Sequence, residues 1–138
     1  MKITILDASC YLKGLMLLIR KDRKITDTEN LLLMRIGKSL GFDREFCENT
    51  IKDILNNKYV EDSPPVFSNK ELAEKFIKDG LAVVFSDNNI HPEEENWLIA
   101  VAEKNGIDKA AYLEYKNKYS GIDTMLAKLE VEDLIVSQ

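Results

Sequence analysis

Long apolar runs are missing from this 138-residue chain. The longest are Leu15–Ile19 and Leu81–Phe85, far short of the roughly 18 residues a membrane span needs. Histidine occurs once, at His91, so a Ser–His–Asp or Cys–His arrangement would have to be built on that single residue. The 6 glycines are scattered singly, which excludes a glycine-rich phosphate cradle. Cys10 and Cys47 lie among apolar neighbours at helical spacing and read as small buried thiols, with no sign of a pairing and no nucleophile context. Positive charge is outnumbered, with 19 Lys and Arg against 24 Asp and Glu. A net charge of −5 argues against a general nucleic-acid binder.

The N-terminus "MKITILDASC" holds one lysine, and Asp7 breaks its apolar run before signal-peptide length. Asp7 also stands three residues before Cys10, where a lipoprotein signal needs an apolar residue. The expectation is a cytoplasmic protein without membrane insertion. With 45% apolar residues, 31% charged residues and 3 prolines, the chain has the composition of a helix-rich globular domain. Charge is uneven along it: residues 1–60 carry a net +3 and residues 61–138 a net −8.

Compared with itself at an offset of 65, the chain repeats. Asp22, Ile25, Glu29, Leu33, Gly41 and Asp43 fall on Asp87, Ile90, Glu94, Leu98, Gly106 and Asp108 without a gap. Such an offset reads as an internal duplication, with halves at about 9–57 and 68–120. In the first half, Tyr11, Leu12, Leu15, Leu18 and Ile19 form a helical stripe. Thr26 and Glu29 then form a capping box, Gly41 ends the second helix, and Asp43 caps a third through about Asn56. Phe46, Ile51, Ile54 and Leu55 are expected to face inward. Pro64 and Pro65 mark a non-helical connection at 58–67. The second half opens on a capping box from Ser68 to Glu71, and Pro92 begins its second helix. Trp97 and the tyrosines at 112, 115 and 119 read as packing residues. A last helix is expected from Thr124 to Ile135, and "KITIL" is an extended lead-in with no strand to pair with. The sum is an all-α single domain of about seven helices over 1–138, with pseudo-twofold symmetry.

The acids of the two connections are the best candidates for chemistry. Asp87, Ile90 and Glu94 match the back half of an EF-hand loop, but Val83 and Phe85 stand where its first ligands belong, so the loop is not an EF-hand. Two readings apply to Asp22, Glu29, Asp87 and Glu94. They are divalent-cation ligands, or they are helix caps and Asx-turn acids that serve the backbone. His91 could add a nitrogen ligand, or stand as an exposed residue before the helix.

"KDRKITDTENLLLMRIGKSLGFD" and "SDNNIHPEEENWLIAVAEKNGID" resemble the two hallmark segments of the TerB-like domains, the family named for bacterial tellurite resistance. The resemblance covers roughly residues 9–120. It implies an internally duplicated all-helical fold, an acidic turn "D-G-x-I-x-x-x-E" assigned to divalent cations, and a setting in membrane-associated or stress-response machinery. Carried over by position, the implied metal residues are Asp22, Glu29, Asp87 and Glu94. The family's glycine after the Asp is Arg23 and Asn88 here. Arg20, Lys21, Arg23 and Lys24 surround Asp22, so the pair Asp87 and Glu94 is the stronger.

The function expected is therefore non-catalytic. The chain is read as a module that binds a partner protein or small ligand, with Ca²⁺ or Mg²⁺, and less so Zn²⁺, at the acidic turn. The alternative is a metal-free adaptor or self-associating domain, in which "RKDRK" meets an acidic surface such as "PEEE" of a second copy.

Overall fold

A computed structural model describes residues 1–21, 25–56, 63–87, 90–119 and 128–137. Six α-helices occur among them: α1 (Ile5–Arg20), α2 (Asp27–Ser39), α3 (Arg44–Asn56), α4 (Lys70–Val84), α5 (Pro92–Lys104) and α6 (Lys109–Tyr119). Two short strands, β1 (Lys2–Ile3) and β2 (Ile135–Val136), pair in parallel. The all-α character expected from the sequence is present, with six helices in place of about seven. Among the described residues, no helix is long and apolar enough to cross a membrane.

α1 and α4 are the inner helices. Residues 14–19 and 79–84 are buried without a break, as expected of helices surrounded by others on all sides. α4 packs against α1, α2, α5 and α6. Such close packing requires small residues at the crossings. A Cβ added to Gly80 would lie 2.9 Å from Leu98 Cδ2 and 3.3 Å from Leu18 Cδ2, so Gly80 is tolerated inside a helix because the neighbours use its space. Around Phe76, the rings of Tyr11 (5.4 Å), Phe67 (5.0 Å) and Trp97 (6.2 Å) form an aromatic cluster with tilted and edge-on contacts.

Helix boundaries follow the capping chemistry. Thr26 opens α2, Asp43 Oδ1 accepts the Phe46 amide at 2.7 Å, and Asp108 Oδ1 accepts the Ala111 amide at 2.8 Å. Gly41 (φ 89°) and Gly106 (φ 79°) follow α2 and α5 in the left-handed region that terminates helices. The starts of α1 and α4, of α2 and α5, and of α3 and α6 each lie 65 residues apart.

Several expectations need correction. α4 is capped by Asn69, whose Oδ1 accepts the Leu72 amide at 2.8 Å, and not by Ser68. The Ser68 hydroxyl instead donates to Asp7 Oδ2 at 2.5 Å, which gives the buried Asp7 a partner. Phe46 is exposed, and Cys47, one position on, takes the inward place. Cys10 and Cys47 are both free thiols. The C-terminal helix expected at 124–135 is absent over its described part. Glu130–Asp133 form a 3₁₀ turn, Leu134 is extended, and Ile135–Val136 are strand; residues 124–127 lie outside the described residues. β2 supplies the partner that "KITIL" was expected to lack: Ile135 N–H donates to Met1 O at 2.8 Å and Ser137 N–H to Ile3 O at 2.7 Å.

One buried acid holds that C-terminal segment. Asp79, on α4, is wholly shielded from solvent. Its carboxylate accepts the Tyr11 hydroxyl at 2.5 Å, the Glu130 amide at 2.7 Å and the Val131 amide at 2.9 Å. The Lys75 ammonium, 3.4 Å from Glu130, and an exposed Arg35–Glu132 pair add weaker ties. Burial pushes the Asp79 carboxyl up to about 6, against the downward pull of the Tyr11 hydroxyl and the two amides. The neighbouring Glu130 charge adds a smaller push in the same upward direction.

Asp79→Ala leaves a buried hydroxyl and two amides without their acceptor, and is expected to lower stability by about 3–5 kcal/mol in urea unfolding. The raised carboxyl also gives a signed pH dependence. Its stabilisation is complete below the ordinary value of 3.8 and is lost as pH rises through about 6. Wild type should therefore lose about 2–3 kcal/mol relative to Asp79→Asn between about pH 4 and pH 7. A stability difference that stays flat over that range would contradict the assignment.

Candidate functional site

The connections from α1 to α2 and from α4 to α5 carry the acids singled out by sequence. At the first, the Thr26 hydroxyl accepts the Glu29 amide at 3.1 Å, and Glu29 Oε1 accepts the Thr26 amide at 2.9 Å. At the second, α4 runs into a 3₁₀ turn, Phe85–Asp87, and Glu94 Oε1 accepts the His91 amide at 3.2 Å. Both glutamates are only 1% exposed. A carboxylate at this helical position closes on the backbone because the first-turn amides have no partner within the helix and the helix dipole favours negative charge there. Asp22 lies outside the described residues. Asp87 is placed by its backbone at the end of the 3₁₀ turn.

The two connections touch. The Thr28 hydroxyl, in the first turn of α2, donates to Ser86 Oγ at 3.4 Å, and the Ser86 hydroxyl donates to Val83 O at 2.7 Å. Thr26 and Thr28 hydroxyls are 3.1 Å apart, so a string of hydroxyls runs from the cap of α2 to the end of α4. On the opposite diagonal, the Lys21 ammonium at the end of α1 lies 6.0 Å from the Trp97 ring centroid on α5. The end of α4 thus meets the start of α2, and the end of α1 lies over α5.

The acidic cluster of α5 is more dispersed than its sequence suggests. Glu94 turns inward as a cap. Glu95 turns toward α6, where it accepts the Tyr112 hydroxyl at 3.0 Å and pairs with Lys116 at 2.6 Å. Partial burial pushes Glu95 up, but the Lys116 ammonium and the Tyr112 hydroxyl outweigh it and hold the carboxyl below its usual value. His91 is half-buried as the residue that caps α5. Among the described residues, no group of three or more His, Cys, Asp and Glu side chains converges as a metal cage would.

Glu29 and Glu94 each commit Oε1 to a backbone amide. Calcium takes about 6–8 oxygens, so one Asp and one remaining Glu oxygen per connection would need backbone carbonyls and water to complete a shell. The oxygens are of the hard type that Ca²⁺ and Mg²⁺ prefer.

Sequence reading missed the acids at Asp7 and Asp79. Asp79 lies three residues after Phe76 on the apolar face of α4, and that phase was the available signal of a buried, partnered acid. Ser86 was missed as the meeting point of the connections, because nothing local to "FSD" indicates which helix end packs on it. No family model, no curated protein and no solved structure matches the chain.

Thr26→Ala removes the cap and is expected to cost about 1 kcal/mol. Because the hydroxyl string joins the connections, Thr26→Ala and Ser86→Ala should couple by about 0.5 kcal/mol or more in a double-mutant cycle. Strictly additive losses would show that the two connections act separately.

Proposed function

We propose that the chain is a non-catalytic helical module of the TerB-like kind, built from two related halves whose touching connections form a binding element. The observation that carries this reading is one device repeated at one spacing. In each half a 13-residue helix opens on a buried, backbone-capping glutamate, Glu29 or Glu94, and is followed by a positive-φ glycine, Gly41 or Gly106. Common descent of the halves accounts for three helix starts and two glycines at a single offset without a gap.

On this reading a divalent cation, Ca²⁺ or Mg²⁺ ahead of Zn²⁺, belongs at the second connection, with Asp87 and Glu94 as its side-chain ligands. Asp22 and Glu29 form the weaker counterpart, since four cationic residues flank Asp22. Neutralising those acids would stiffen the passage from α4 to α5 and change the surface offered to a protein partner or small ligand in the cytoplasm. A tellurite or stress-response role rests on the family resemblance alone.

A second reading is favoured by the way the acids are used. Glu29 and Glu94 already cap helices, and Glu95 already pairs with Lys116. The module is then a metal-free adaptor, or self-associates with "RKDRK" against "PEEE" of a second copy in a salt-sensitive way.

Calorimetric titration with Ca²⁺, Mg²⁺ and Zn²⁺ after chelator treatment separates the two. Asp87→Asn/Glu94→Gln removes both charges while the glutamine keeps an oxygen for the cap. Saturable binding by wild type that disappears in the double variant is the expected result. Absence of saturable heat at millimolar ion would overturn the cation site and leave the adaptor reading.

A further inference from the structure

α2 and α3 leave between them a pocket of about 510 Å³, a size typical of small-molecule sites. Leu31, Met34 and Phe42 supply its apolar wall, and Phe42 stacks on Phe46 at 5.2 Å. Leu31 and Phe46 are 57% and 48% exposed and extend the apolar surface at the pocket.

Of the charges at the rim, most are already committed. Asp43 holds the Phe46 amide, and the Arg44 guanidinium donates to Glu48 at 2.8 Å. The Lys38 and Asn30 side chains, which also line the pocket, make no hydrogen bond or ion pair among the described residues. Asp43 and Glu48 keep their charge while so bonded, and the four rim charges cancel. That leaves Lys38 and Asn30 as the one cation and one neutral amide whose side chains have no partner among the described residues. They stand eight residues apart on α2, a rise of about 12 Å.

The other half of the chain shows what suits this channel. At the 65-residue offset, Tyr112 stands in place of Cys47 and Glu95 in place of Asn30. The Tyr112 ring is fully buried, and its hydroxyl donates to Glu95 at 3.0 Å. In the first half the smaller Cys47 side chain turns its thiol to Gly37, where an added Cβ would collide with it, and both Cys47 and Asn30 line the open pocket. One channel is filled by the chain's own phenol and its counterpart is open.

We propose that the α2–α3 pocket binds a small aromatic monoanion. The ring lies along the channel that Tyr112 fills in the other half, its polar tip meets Asn30, and its carboxylate pairs with Lys38. The placement of the ring rests on the correspondence of the halves proposed above. The volume, the apolar wall and the uncommitted Lys38 do not.

The test is a heteronuclear NMR titration of the full chain with 3-(4-hydroxyphenyl)propionate and, separately, p-cresol. Shifts confined to amides around Asn30, Met34, Lys38, Phe42 and Cys47, saturating at about 10 mM or below, are expected for both probes. Lys38→Gln, an exposed position whose exchange leaves the fold intact, should weaken the acid about fivefold and leave p-cresol unchanged. Shifts spread over the exposed apolar residues Ile5, Leu6 and Leu113, no shift at all, or equal affinity of wild type and Lys38→Gln for the acid would overturn the proposal. So would a response to amphipathic peptides without one to the arylpropionate, which would make the pocket a protein-docking groove. None of these outcomes bears on the cation titration, which reads a different site.

Discussion

An acid taken into the core of this protein must meet donors there, and that requirement organises much of the structure. Asp79 is the most demanding case. Its carboxylate receives one phenol and two backbone amides while shielded from bulk solvent. Those donors come from α1 and from the C-terminal segment, so satisfying one side chain fixes three parts of the chain relative to one another. The β1–β2 pairing adds only two residues on each strand, too little to hold the termini together unaided.

The same requirement shapes the connections. Glu29 and Glu94 enter the core at the starts of α2 and α5 and are met by the amides those helices leave unpaired. Thr28 and Ser86 then bring the two connections into contact. Each capping glutamate commits one carboxylate oxygen to a backbone amide and so is partly withdrawn from any ion. The proposed cation site therefore depends on Asp87 more than on Glu94. The proposed arylcarboxylate pocket lies apart from this region and depends on a cation, Lys38.

Much of the fold was legible in the sequence. The apolar stripes of α1 and α4, the capping box at Thr26 and Glu29, the caps at Asp43 and Asp108, Pro92 at the start of α5 and the glycines after α2 and α5 all write local physics into local residues. The failures were non-local. β1 finds its partner more than 130 residues away, and the C-terminal segment leaves the helical conformation because Asp79 captures two of its amides. Ser68 looked like a cap but was claimed by Asp7 on another helix. The site was legible to a lesser degree. Sequence located the capping glutamates, but not that Glu95 would turn to Tyr112 and Lys116, nor that Ser86 would join the connections. Those outcomes depend on which helix faces which.

Asp79 ties α1, α4 and the C-terminal segment to one another. Native-state amide hydrogen exchange at Glu130 and Val131 tests it most directly. Donors held by a buried carboxylate should exchange as slowly as the core amides of α4, such as Leu81 and Val83, opening only when the protein unfolds. Exchange at Glu130 and Val131 as fast as at an exposed chain end would show that the C-terminal segment is not held, and would contradict the account.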